Sequence, residues 1–162
     1  MLTRIRNYDL SDIKSSINYL LDKAADSEEV RTLAIEIVSN KEDQIAAVYD
    51  WVKSNVTYVK DPVRGYGEVE LFTSPIRMVK DYRNGIRLGG DCDCMALLTT
   101  ALYRSIGYQS NVVLLDTTGE GLNHAISQVL SDGIETWVMV DPSASVPLGW
   151  TESYTDKVIV GD

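Results

Sequence analysis

The sequence predicts an α+β fold, with helices first and an antiparallel sheet after them. Three observations lead to it. Helical periodicity runs through the first third of the chain. Residues 92–106 are apolar on every side, as in a helix at the centre of a core. Three β-prone runs then follow, at residues 109–115, 123–130 and 134–140, the last two joined by Asp132-Gly133.

The elements follow in order. Asp9 or Ser11 can cap a first helix running to about Ala25, with Ile13, Ile17, Leu20, Leu21 and Ala24 on one face. Asp26 or Ser27 caps a second over residues 28–38, apolar at Val30, Leu33, Ala34 and Ile37. Asn40 can cap a third from about Lys41 to Asn55, with Ile45, Val48, Trp51 and Val52 along one stripe. A short strand at residues 57–59 precedes a loop over residues 61–73, a length often tied to function. Ser74-Pro75 places a cap before a proline at the first helical position and starts a short helix to Tyr82. Residues 83–90 lead into the apolar helix, which ends at Gly107, a residue suited to a left-handed cap. A glycine-containing turn at residues 117–122 separates the first two strands of the sheet, and a last short strand or a flap falls at residues 158–160. The aromatics Trp51, Tyr58 and Trp137 are expected in the core. The organisation expected is a helical segment, residues 1–40, packed on a core of residues 41–162, one domain overall.

The chemistry-bearing residues cluster around the apolar helix and the hairpin. Gly89-Gly90 allow a sharp turn, Asp91 is a candidate cap, and Cys92 is then the first helical residue. Unpaired N–H groups and the positive helix end at that position favour a thiolate, with reactive cysteines reaching pKa values of about 3.5–7.5 against about 8.5 for a free thiol. The same N–H groups can hold an oxyanion. Asp-Gly between β-prone runs signals a two-residue type I′ hairpin. That turn pairs Ser131 with Ile134 and, counted back along both strands, sets His124 directly opposite Asp141, with Cβ atoms about 5 Å apart. A thiol, an imidazole and a carboxylate so arranged make an activated nucleophile.

Gly-Asp-Cys-x-x-x-Ala with its leucine-rich helix, His124-Ala125, and the run Trp137-Val138-Met139-Val140-Asp141-Pro142 resemble the transglutaminase-like branch of the papain-like cysteine enzymes. Upstream, the run from Trp51 to Tyr58 and Asp61-Pro62 resemble the same family's lead-in, and the compact prokaryotic and phage-type members are the most similar in pattern. The resemblance spans residues 44–143. It implies a Cys-bearing helix on an antiparallel sheet, with Cys92 as nucleophile, His124 as base and acid, and Asp141 as orienter. It also implies a peptide or protein amide as substrate and a thioester acyl-enzyme, with no cofactor and no metal. Tyr58 is a candidate oxyanion donor or cleft wall on the same ground. Two positions depart from the pattern: Cys94 stands where an acidic or bulkier residue is usual, and Ile126 where an aromatic is.

Composition narrows the partners. A net charge of −9 and a sequence pI near 4.6 repel nucleic acid and anionic membranes. With no apolar run of about 20 residues and no signal-peptide pattern at the start, the expected setting is cytoplasmic or virion-associated. The main rival function is a non-catalytic structural or assembly module, with virion or assembly proteins as partners. A redox pair of Cys92 and Cys94 lacks the Cys-x-x-Cys spacing. A zinc site of Cys92, Cys94, His124 and Asp141 fails because Cys-x-Cys on a helix splays the sulfurs. Asp91 and Asp93 with Glu120 suit calcium less well than they suit a cap and solvated charges.

Overall fold

The computed structural model describes residues 10–59, 73–133 and 135–161. Most of the predicted 61–73 loop, Ile134 and the first cap at Asp9 therefore lie outside the described residues. Five helices and six strands are described: α1 (Leu10–Ala25), α2 (Glu28–Val38), α3 (Gln44–Asn55), β1 (Val56–Tyr58), α4 (Pro75–Arg83), β2 (Leu88–Gly90), α5 (Cys92–Ser105), β3 (Ser110–Asp116), β4 (His124–Leu130), β5 (Trp137–Val140) and β6 (Asp156–Val160). The α+β expectation holds, with helices preceding an antiparallel sheet.

Local chemistry explains most boundaries. Ser27 is the cap of α2, accepting from Val30 N–H at 3.3 Å. Asn40 does not cap α3. It takes a left-handed φ of 62° just past α2, and Asp43 caps α3 by accepting from Ala46 N–H at 3.0 Å. Gly107 turns left-handed at φ 98° just past α5, as its position suggests.

The core forms around α5. Every residue from Cys92 to Tyr103 is buried. Ile13, Ile17, Leu21 and Ala24 of α1 and Val30, Leu33 and Ala34 of α2 join Leu98, Leu102 and the α5-facing sheet residues Val112, Leu114, Ala125, Val129 and Val140 in one apolar cluster. Burial of this kind contributes about 25 cal/mol per Å² of apolar surface removed from water. The sheet order is β5-β4-β3-β6, all antiparallel. The tail thus supplies an edge strand, five residues long, paired with β3. On the other sheet face Val113, Leu115 and Ile126 form a smaller cluster with Met139 and Ile159.

Two features depart from the sequence reading. Leu88–Gly90 forms a strand paired in parallel with β1, joining Tyr58 to Gly90 two residues before Cys92. The β4–β5 hairpin is not closed by a two-residue turn. Its ladder pairs Leu130 with Trp137 and Ser127 with Val140, and Ser131 N–H reaches Thr136 O at 2.9 Å, so the loop carries two more residues than a type I′ turn. Gly133 and Glu135 hold positive φ, at 86° and 46°. The shift moves Asp141 opposite Ile126 and diagonal to His124. Because side chains alternate with a period of two, a two-residue shift leaves both on the expected face. Trp137 and Tyr58 are each 42% exposed rather than in the core, and Trp51 is half-buried, edge-on to Tyr82 at 5.0 Å.

Candidate active site

The imidazole and the acid meet. His124 Nε2 lies 2.7 Å from Asp141 Oδ2, the histidine at the head of β4 and the aspartate just past the end of β5. Asp141 is 1% exposed. Its other oxygen, Oδ1, accepts from Ser143 Oγ at 2.6 Å and from Ser143 N–H at 3.1 Å. Burial opposes a charge on Asp141. The His124 and Ser143 hydrogen bonds and the His124 charge outweigh it and hold the carboxyl below its ordinary value. With Nε2 engaged by the acid, Nδ1 is the ring nitrogen left for a reacting sulfur.

Cys92 heads α5, as the sequence predicts. Asp91 is the cap, its Oδ1 accepting from Asp93 N–H and Cys94 N–H, both at 3.1 Å. Those two donors are therefore taken by the cap, and the Cys92 N–H is the first-turn donor left outside it. This narrows the expected oxyanion site from a cluster of N–H groups to one. Cys92 is 1% exposed, and burial followed by the charge of Asp93 raises its pKa well above the ordinary thiol value, although the Ala125 backbone lowers it slightly. Burial and the Asp93 charge both oppose the thiolate that a helix start favours. Cys92 Sγ donates to Asp93 Oδ1 at 3.7 Å. Asp93, read from sequence as a solvated charge, is 2% exposed.

The Cys92 thiol approaches the backbone of Ala125, the residue after His124, but among the described residues no hydrogen bond joins the sulfur to the imidazole. Cys94 points elsewhere. It is 3% exposed and packs beside Gly90, where an added Cβ would fall 2.7 Å from Cys94 Cβ. Burial and then the Asp91 charge push its thiol up to about 11, against a smaller opposing effect from Thr73. Sequence reasoning missed Asp93 and Ser143 as neighbours of the site. The pattern Asp-Pro-Ser was the available signal for the latter, since a serine two residues past an aspartate readily closes a local turn onto it. The turn before His124 is held by Asp116, which accepts from the N–H groups of Thr118, Gly119 and Gly121.

A thiol-bearing central helix abutting an antiparallel sheet that carries a hydrogen-bonded His–Asp pair defines a papain-like cysteine-enzyme class of fold. The sequence pattern of the transglutaminase-like superfamily matches residues 31–142, and the chain belongs to that superfamily. No curated protein matches the chain in sequence. Solved structures share the fold. One is the "putative cysteine protease" of Cytophaga hutchinsonii, with TM-score 0.56 and 18% identity over 97% of this chain and 57% of that one. Another is the "putative protease" of Parabacteroides distasonis, with TM-score 0.56 and 13% identity over 83% of this chain and 26% of that one. A third is EGTA-treated LapG of Legionella pneumophila, with TM-score 0.52 and 16% identity over 83% and 73%. The chain thus spans about half of the first protein's length and a quarter of the second's. Among the described residues no helix is long and apolar enough to cross a membrane.

Proposed function

We propose that this protein is a cysteine-dependent hydrolase of amide bonds, a protease or amidase, with Cys92 as nucleophile, His124 as base and acid, and Asp141 as orienter. The observation that carries the reading is the 2.7 Å His124–Asp141 bond beside the strand backbone that the Cys92 thiol approaches. The likeness to folds named as proteases supports it.

Burial and the Asp93 charge oppose a standing thiolate, so catalysis in this reading starts with proton removal from Cys92. Nδ1 of His124 takes the Sγ proton as the sulfur bonds to the substrate carbonyl carbon, and the carbonyl electron pair moves to oxygen. The Cys92 N–H faces that oxyanion. Collapse breaks the C–N bond, and the proton on Nδ1 leaves with the amine. Water then attacks the thioester, giving its proton to Nδ1; the C–S bond breaks and Sγ recovers the proton. An attacking amine in place of water gives transamidation. Asp141 keeps Nε2 protonated throughout and stabilises the transient imidazolium. With the sulfur 1% exposed, substrate reaches it only when the cover over Cys92 parts.

That burial, together with the raised thiol pKa, favours a second reading, a non-catalytic assembly module that keeps the fold. Incubation with a p-nitrophenyl ester separates the two. The hydrolase forms a hydroxylamine-labile acyl adduct on Cys92, discharged by water or by an added dansylated amine. No adduct, with self-association unchanged in Cys92→Ala, supports the assembly module instead.

A further inference from the structure

We propose that Ser143 is a positioning residue that locks the Asp141 carboxylate, and that α3 holds Ser143 in place; the proposal deepens the hydrolase reading and rests on it. A carboxylate rotates easily about its last side-chain bond, with broad minima. Two donors on one oxygen remove that freedom. Ser143 Oγ and Ser143 N–H both hold Oδ1, leaving Oδ2 aimed at His124 Nε2. Charge-assisted bonds of this length are among the stronger ones in proteins.

The loop after Ser143 is tied down in turn. Tyr49 Oη donates to Val146 O at 2.6 Å, and Lys53 Nζ donates to Ala144 O at 3.3 Å and to Tyr49 Oη at 3.1 Å. Tyr49 and Lys53 lie one turn apart on α3. The same helix runs directly into β1, which pairs with β2 just ahead of Cys92. One helix is thus the mount for both the loop that fixes the acid and the strand pair that leads into the nucleophile. Without the Ser143 hydroxyl, only the longer Ser143 N–H bond holds Oδ1, the carboxylate is held less firmly, and the tautomer with hydrogen on Nε2 and a bare Nδ1 loses part of its preference.

The chain contains one histidine, so imidazole nitrogen NMR reads His124 without assignment. At a pH above the imidazole titration seen in the same spectra, the parent protein shows a protonated Nε2 and a bare Nδ1. Ser143→Ala shows a mixture of tautomers and alkylates Cys92 about tenfold more slowly. Ser143→Thr, which keeps the hydroxyl, restores both. Tyr49→Phe shifts the tautomer balance the same way by less, and it carries the test if Ser143→Ala does not fold. A parent-like tautomer in Ser143→Ala, or in Tyr49→Phe where that variant stands in, overturns the proposal, as does loss in Ser143→Thr equal to that in Ser143→Ala. If the parent never acylates Cys92, the hydrolase reading fails while the tautomer comparison still decides the role of Ser143.

Discussion

The α5 helix meets the sheet through two buried polar contacts of opposite character. In its middle, Thr100 Oγ1 lies 2.8 Å from Ser127 Oγ, which lies 3.3 Å from Ser110 Oγ, and Ser110 donates onward to Gln128 O at 2.7 Å. Every group there is neutral and partnered, so burial costs little. At the helix start the contact is a thiol meeting the strand backbone at Ala125, flanked by Asp91 and Asp93, with Asp141 and His124 beyond. Three carboxylates, Asp91, Asp93 and Asp141, lie at 1–2% exposure in this region. Buried charge is costly even when partnered. A core built only for stability has the first kind of junction; the proposed chemistry accounts for the second. The pair therefore separates what holds α5 on the sheet from what the sheet and α5 hold between them.

Substitutions break or sharpen that contrast. The largest effect is expected from His124→Ala, which slows Cys92 alkylation about 100-fold if the imidazole acts as base; mass mapping of the adduct checks it. Gly90→Ala forces a Cβ against Cys94 Cβ and is expected to cost about 1–3 kcal/mol of stability through overpacking, read by urea denaturation. Thr100→Val strips one hydroxyl from the neutral junction. It is expected to cost about 1 kcal/mol and leave alkylation of Cys92 unchanged. Asp93→Asn removes the charge that helps keep Cys92 protonated, so the pH profile of alkylation moves to lower pH while stability changes little or improves. The smallest effect belongs to Cys94. Its pKa is raised from 9.0 to about 11, so the folded state holds this proton more tightly and its stabilising contribution, full below 9.0, fades as pH rises through that window. Cys94→Ala flattens part of the stability loss between about pH 9 and about pH 11, measured as urea midpoints.

Sequence made the architecture visible because helical stripes and alternating strands each report on a core. The His124–Asp141 pairing was legible for a more particular reason. Asp132-Gly133 favours a tight turn, but Val138 and Val140 seek the α5-facing cluster, and the ladder they form with Val129 and Ser127 closes two residues further out. A one-residue error would have sent Asp141 to the opposite face; the two-residue error did not. Asn40 misled because asparagine serves equally as a cap and as a left-handed residue. The strand at Leu88–Gly90 left no pattern, since two of its three residues are glycine and it exists only as a partner for β1. The state of the thiol was invisible for a different reason. Its position at a helix start is local, whereas the burial and the Asp93 charge that oppose ionisation are consequences of the assembled core.

The central claim is that Cys92 works with the His124–Asp141 pair. The most direct measurement is limited iodoacetamide treatment at about pH 7.5, where an ordinary imidazole is neutral enough to act as base and an ordinary thiol is still mostly protonated, followed by peptide mapping in the parent protein and in His124→Ala. The account predicts a preferential adduct on Cys92 that His124→Ala abolishes, with Cys94 unlabelled in both. Slow, equal labelling of both cysteines, indifferent to His124, would contradict it.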